Sequence, residues 1–444
     1  MSGNPYPRPD FERTNLTWKS LNGPWDLLFD DEDVGLDQNW HQRGVPQNAG
    51  DSTKRAIQVP FVFQCEASGI NERGVHEVLW YERVIEDIRS ADKRGNRLLL
   101  RFGAVDYYAK VWLDGQSVGE HRGGHVPFDL DLTDAMSLSR SNEPQRLTVR
   151  VFDSAFDLTQ PRGKQYWGPQ PESIFYTPSS GIWQNVWLES VPRLRIADSS
   201  HGTIIRSDKI DKGTIDARIA VLGRKTREAC YVELDAVLAG TLISASDKKE
   251  VFPHEDFVRF DHSVRLSHQQ LQKLPHIPSG ALHKGTALWS PEHPILYDLR
   301  IRLYSRDGTI LDEVHTTTGM RNINWTTGDG TLRLNNKPYF HALLLDQGYW
   351  PQTLMTPPSS EALKKDIELS KAMGFNGCRK HQKVEDPLFM YWADRLGFMV
   401  WGEMAAAYNF SVDYVDRFDE EWMAMLLRDL NHPSIVAWTP VNER

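Results

Sequence analysis

Cysteine is scarce in this chain. Only Cys65, Cys230 and Cys378 occur among 444 residues, an odd and widely spaced set that offers no disulfide framework and suits a reducing compartment. Long apolar runs are lacking as well, and without 18 consecutive apolar residues no spanning helix is expected, hence no membrane partner. The opening stretch Met1 to Arg13 is polar and Pro-rich and has no apolar signal-peptide core, so a cytoplasmic location is the expectation. Positive charge is not in excess: 51 Lys and Arg face 60 Asp and Glu, for a net charge of −9 with no basic block. That balance argues against a nucleic-acid partner.

Aromatic side chains, in contrast, are plentiful, with 15 Trp and 14 Tyr. Aromatic faces stack on sugar rings, and large β-rich proteins also use Trp as core, so composition alone leaves both readings open. A hydrophobic share of 40% is enough for sizeable cores. At roughly 150 residues per domain, the length suggests about three domains.

From Leu21 to about Val191 the chain reads as short strands with turn punctuation, including Trp25–Phe29, Ile57–Phe61, Val78–Tyr81, Arg97–Phe102, Ala109–Leu113, Leu147–Phe152 and Ile182–Leu188. Asp114-Gly115 between two such runs is a hairpin signal. Strands at this density predict an all-β sandwich over residues 1–192. Pro192 marks the exit. A second alternating set, with Ala217–Leu222, Tyr231–Val237 and Leu299–Tyr304, predicts an immunoglobulin-like sandwich over residues 193–320, with the polar stretch Lys248 to Lys284 as an irregular insertion.

After Trp325 the period changes. Lys337–Leu345 reads as a strand. Ser359 caps a helix with Ala362, Leu363, Ile367, Leu369 and Met373 on one face, and Gly374 ends it. Phe375–Arg379 is the next strand, followed by a helix from Asp386-Pro387 to Gly397. Phe398–Trp401, a helix over Phe418–Leu430 and the strand Ser434–Val441 complete the series. Strand–helix alternation is the mark of parallel βαβ units, and the count matches the first half of a (β/α)8 TIM barrel, residues 321–444.

Polar residues follow each apolar strand: Asp346, then Arg379 and His381, then Glu403, then Asn442 and Glu443. In a parallel barrel those strand ends meet at one mouth. Each residue taken singly has a bland explanation, as an ion-pair partner, a loop histidine or a helix cap. Four successive strands ending in ionisable groups favour a site. Glycoside hydrolysis needs a carboxylic acid to protonate the leaving oxygen and a second carboxylate to attack or to activate water. An amide beside the acid can bind the sugar 2-hydroxyl, and the flanking Trp401 and Trp438 could supply the apolar setting that keeps an acid protonated. Two nearby carboxylates, Glu403 and Glu443, could also share a divalent cation, although the chemistry calls for no cofactor.

Leu21-Asn22-Gly23-Pro24-Trp25, Gly163-Lys164-Gln165 through Ser180–Glu189, Gly319-Met320-Arg321, and Asn431–Trp438 followed by Asn442-Glu443 together resemble glycoside hydrolase family 2, the family of β-galactosidases, β-glucuronidases and β-mannosidases. The resemblance covers nearly the whole chain. It implies a jelly-roll sugar-binding domain first, then the immunoglobulin-like domain and the barrel. It also implies a retaining exo-β-glycosidase with Glu443 as general acid/base and Asn442 on the 2-hydroxyl, β-galactosides or β-glucuronides as substrates, and Glu403, Arg379, His381 and Asp346 in the binding site. The family's Arg-x-Ser-His stands here as Arg379-Lys380-His381-Gln382. Its nucleophilic glutamate is expected beyond residue 444, which makes this chain a fragment cut just after the acid/base. The alternative is a non-catalytic carbohydrate-binding protein with a degenerate half barrel. In another, the first sandwich acts alone as a lectin through Asp106 and Trp112. A carbohydrate is the expected partner, and a homo-oligomer is compatible with each reading.

Overall fold

The computed structural model describes residues 6–443 except 94, 139–143, 169, 226–227 and 327. The first sandwich packs a six-stranded antiparallel sheet on a four-stranded one. Gln116–Arg122, Tyr108–Leu113, Gln145–Phe152, Val78–Ile85, Gly23–Phe29 and Arg55–Val59 lie side by side in that order, facing Phe128–Asp131, Arg97–Phe102, Val186–Val191 and Thr17–Ser20. Leu27, Tyr81, Val111, Val149, Leu100 and Leu188 fill the space between. Asp114 and Gly115 have φ of 45° and 82°, the pair of positive values a two-residue hairpin turn needs. Trp40, Trp80 and Trp112 form a second apolar layer with Leu28, so these tryptophans are core. Trp112 stacks on Trp80 at 5.7 Å.

The second sandwich has Phe11–Arg13, Ile310–Thr318, Tyr297–Ser305, Cys230–Leu238 and Thr241–Ala245 in one sheet. Thr214–Leu222 lies in the other with Ile204–Lys209, Arg195–Ile196 and Phe257–Ser263. Two expectations change here. The supposed insertion after Lys248 carries a regular strand, Phe257–Ser263, whose Val258, Phe260 and His262 point inward. The strand at Phe11–Arg13, although first in the chain, pairs with Ile310–Thr318 and so belongs to the second sandwich.

Four parallel strands follow: β1 (Leu343–Asp346), β2 (Gly377–Lys380), β3 (Met399–Glu403) and β4 (Ile435–Thr439), each hydrogen-bonded to the next. Helices α1 (Ser360–Ala372), α2 (Pro387–Leu396) and α3 (Val412–Asp429) connect them. The expected strand Lys337–Leu345 is broken. Lys337–Pro338 joins a small antiparallel sheet, and β1 begins only at Leu343. Ser359, Asp386 and Ser411 cap the three helices by accepting backbone N–H bonds from Ala362, Leu388 and Tyr414. Gly397 ends α2 with φ of 68°. Leu363 and Ile367 of α1 and Phe389 and Ala393 of α2 cover Cys378, Val400 and Ile435 of the sheet. Leu369 and Met373, expected on the same face of α1, are exposed. Among the described residues no helix is long and apolar enough to cross a membrane.

Candidate active site

The turn before β4 is anchored on the second sandwich by its polar side chains. The Asn431 side chain accepts from Ile205 N at 2.8 Å and donates to Thr203 O at 3.0 Å. Arg321 donates to Pro433 O and Ile435 O at 2.9 and 2.7 Å. Buried His432 pairs with Asp394 of α2 at 2.6 Å, and Ser434 N donates to the other Asp394 oxygen at 3.0 Å. Burial alone would lower the His432 pKa, but the carboxylate of Asp394 outweighs it and raises it. These bonds fix where β4 starts and therefore where it delivers Asn442 and Glu443.

At the strand ends Arg379 is the hub. Its Nε donates to Glu403 Oε2 at 2.6 Å and its Nη2 to Asn442 Oδ1 at 2.7 Å, joining β2, β3 and the residues after β4. Glu403 is fully buried, and its Oε1 accepts from Gln382 N at 2.8 Å. His381 Nδ1 lies 3.3 Å from the same oxygen but is not aligned for a hydrogen bond. Burial pushes the imidazole below its usual pKa, against the pull of Glu403. Gln382 and Glu443 both hold positive φ, 57° and 49°. Non-glycine residues adopt that conformation at a cost, and such strain gathers at functional sites.

Arg379, His381, Glu403 and Asn442 are thus brought together, with Glu443 the next residue in the chain. Asp346 is not among them. Its partner in register is Lys380, and it accepts from Lys380 Nζ on the face of the sheet opposite Arg379. Lys380 also donates to Glu385 at 2.8 Å and lies 3.9 Å over the Phe389 ring. Lys383 completes this buried network by pairing with Glu385 at 3.0 Å. Burial raises the Glu385 pKa, yet the two lysines dominate and bring it to about 2. Asp346 therefore holds the β1 and β2 ends in place.

The apolar setting expected from Trp401 and Trp438 is not built around Glu443. Glu443 is exposed, and Trp438 packs edge-on against Trp422 of α3. Each Glu403 oxygen already accepts a hydrogen bond, from Arg379 and from Gln382, and among the described residues no group of three His, Cys, Asp or Glu side chains is gathered that could hold a metal ion. Asp106 and Trp112 are buried inside the first sandwich, Asp106 bonded to Gln165 at 2.7 Å, so neither can meet a sugar directly. Gln382 and Lys164 escaped the sequence reading as site residues. Lys164 acts electrostatically on both Glu443 and His381. Its signal was the Gly163-Lys164-Gln165 run.

Fold and site together define a multidomain, β-rich protein with a guanidinium–carboxylate–amide cluster at the ends of parallel strands. The model described as "Glycosyl hydrolases family 2, sugar binding domain" matches residues 18–192, and "Glycosyl hydrolases family 2" matches residues 205–321. The chain belongs to glycosyl hydrolases family 2. Arg379, Glu403 and Glu443 lie beyond both matched segments. The chain is 25% identical over 482 residues to a β-glucuronidase of Chlorocebus aethiops, spanning 100% of this chain and 66% of that protein. It is 26% identical over 373 residues to a β-galactosidase of Thermoanaerobacter pseudethanolicus, covering 81% of this chain and 44% of the other. The solved β-glucuronidase of Ruminococcus gnavus in complex with D-glucuronic acid superposes with a TM-score of 0.74 at 20% identity, over 97% of this chain and 67% of that one, a likeness of fold.

Proposed function

We propose that this protein is a retaining exo-β-glycosidase acting on terminal β-linked sugars, β-galactosides or β-glucuronides, with the four parallel strands as the first half of a (β/α)8 barrel. The observation that carries this reading is the Arg379 bridge to Glu403 and Asn442. Because the Asn442 carbonyl oxygen accepts from Arg379, its amide N–H groups are left to donate to a sugar hydroxyl. Glu443, next in the chain, protonates the leaving oxygen and then, as base, activates the water that releases the sugar. Glu403 is committed to Arg379 and does not serve as nucleophile. That role is assigned to none of the described residues, and the chain spans 66% of the length of the β-glucuronidase relative. The names of the β-glucuronidase and β-galactosidase relatives support the substrate class.

The test is turnover of nitrophenyl β-galactoside, β-glucuronide and β-mannoside by the full-length protein and its Glu443→Gln variant. At least one substrate should be cleaved, with a loss of about 100-fold or more in the variant. Unchanged turnover in Glu443→Gln would overturn the assignment.

A further inference from the structure

Residues 153–168 leave the first sandwich and cross to the parallel unit. Arg162 N and Gly163 N donate to Ala406 O at 3.2 and 3.0 Å, and Tyr408 Oη donates to Gly163 O at 2.5 Å. Gly163 has φ of +60°, and a Cβ there would stand 2.1 Å from Gln382 O, so only glycine permits this approach. The next residue, Lys164, is thereby carried to the site. It is 6% exposed, and its ammonium lies 5.4 Å from the Phe175 ring centroid. Among the described residues it has no hydrogen-bond acceptor and no ion-pair partner. Burial lowers its pKa while Glu443 pulls the other way. Beside it, Trp167, Phe175 and Tyr408 form a half-buried aromatic wall, with Trp167–Tyr408 at 4.7 Å, Trp167–Phe175 at 4.8 Å and Phe175–Tyr408 at 5.3 Å.

Charge balance decides what this corner takes. Arg379 is matched by Glu403, so Lys164 is the cation left over whenever Glu443 carries its proton as the acid. The Lys164 stem is buried while its partly desolvated ammonium faces the cleft without a partner, and an anion supplied by the ligand would give it one. We propose that Lys164, Trp167 and Phe175 form a substrate subsite beside Glu443 for a sugar bearing an anionic group, a carboxylate or a sulfate ester, with the ring face on the aromatic wall and the anion on Lys164. The proposal rests on the glycosidase reading and assigns its selectivity to a residue of the first sandwich.

Calorimetric binding of phenyl thio-β-glucuronide, phenyl 6-sulfo-thio-β-galactoside and phenyl thio-β-galactoside to the full-length protein tests it. At least one charged ligand should bind about tenfold or more tightly than the neutral one, and whichever does identifies the anion. Lys164→Met should weaken that ligand by about 10–100-fold, while Lys164→Arg should keep the preference. Trp167→Ala should weaken all three ligands by a similar factor. Lys164→Gln, which retains a polar head, replaces Lys164→Met if circular dichroism shows that the latter is misfolded. Equal affinity for all three ligands, or an anion preference that survives loss of the Lys164 charge, overturns the proposal. Binding is read without turnover, so this failure is distinct from a failure of Glu443 as acid.

Discussion

Replacing Glu421 by glutamine should stabilise the protein at neutral pH. Glu421 projects from α3 into the first sandwich and is 1% exposed. Its Oε2 accepts from His125 N at 3.0 Å, whereas Oε1 has no partner among the described residues. Burial raises its pKa to about 8; the backbone N–H groups of His125 and Gly124 and the charge of Arg122 oppose the rise, and Glu420 adds to it. An unfolded glutamate ionises near ~4.3. Between these two values the folded chain holds a proton that the unfolded chain has released, so stability is full below about pH 4 and falls as pH rises toward 8. At pH 7.5 the gap is about 3 pH units, or about 4 kcal/mol. Glutamine keeps the acceptor and cannot ionise, but it places two N–H groups where the protonated acid has one O–H, and the additional unpaired donor costs about 1–3 kcal/mol. A net gain of about 2 kcal/mol is therefore expected at pH 7.5, shrinking to zero or below at pH 4.5. Urea unfolding followed by tryptophan fluorescence, for wild type and Glu421→Gln across that range, measures it. A variant that is equally destabilised at both pH values would refute the reasoning.

Arg379→Met should leave the Glu403 carboxylate buried without its cation and cost about 3–5 kcal/mol, read as a lower unfolding midpoint. The double variant Arg379→Met/Glu403→Leu should recover most of that loss, and no recovery would show that the ion pair is not the cause. The raised pKa of His432 makes its pairing with Asp394 a source of stability below about pH 6.5 that fades as pH climbs through the raised value. The stability gap between wild type and His432→Gln should accordingly narrow from pH 6 to pH 9, and a gap that widens would contradict the pairing.

Most of the strand and helix order could be read from period and caps, because Asp386-Pro387 and Gly397, or Asp114-Gly115, act locally through their own backbone preferences. What escaped depends on pairing between distant segments. Asp346 looked like a mouth residue by its place after an apolar run, yet register sets it opposite Lys380 while Leu345 stands opposite Arg379. One step along a strand reverses the face. Phe257–Ser263 was hidden because inward-facing His262 interrupts the apolar alternation, and Ser244 satisfies it at 2.8 Å. The stretch around Asn431 was read as a signature of chemistry. Its Asn431 and His432 prove to be the means by which β4 docks on the second sandwich and α2. Lys164 reaches the site from more than 200 residues upstream of Arg379, a proximity that no local pattern records.

The central claim is that Glu443 gives a proton to the departing oxygen, and leaving-group dependence tests it most directly. A good leaving group such as dinitrophenolate departs without that proton, whereas an alkoxide cannot. The full-length protein and its Glu443→Gln variant should be compared on dinitrophenyl and methyl glycosides of the preferred sugar, reading bond cleavage in the first turnover. The account predicts a loss of about 100–10,000-fold on the methyl glycoside and a far smaller loss on the dinitrophenyl glycoside. Equal losses on both substrates, or none on either, would contradict it.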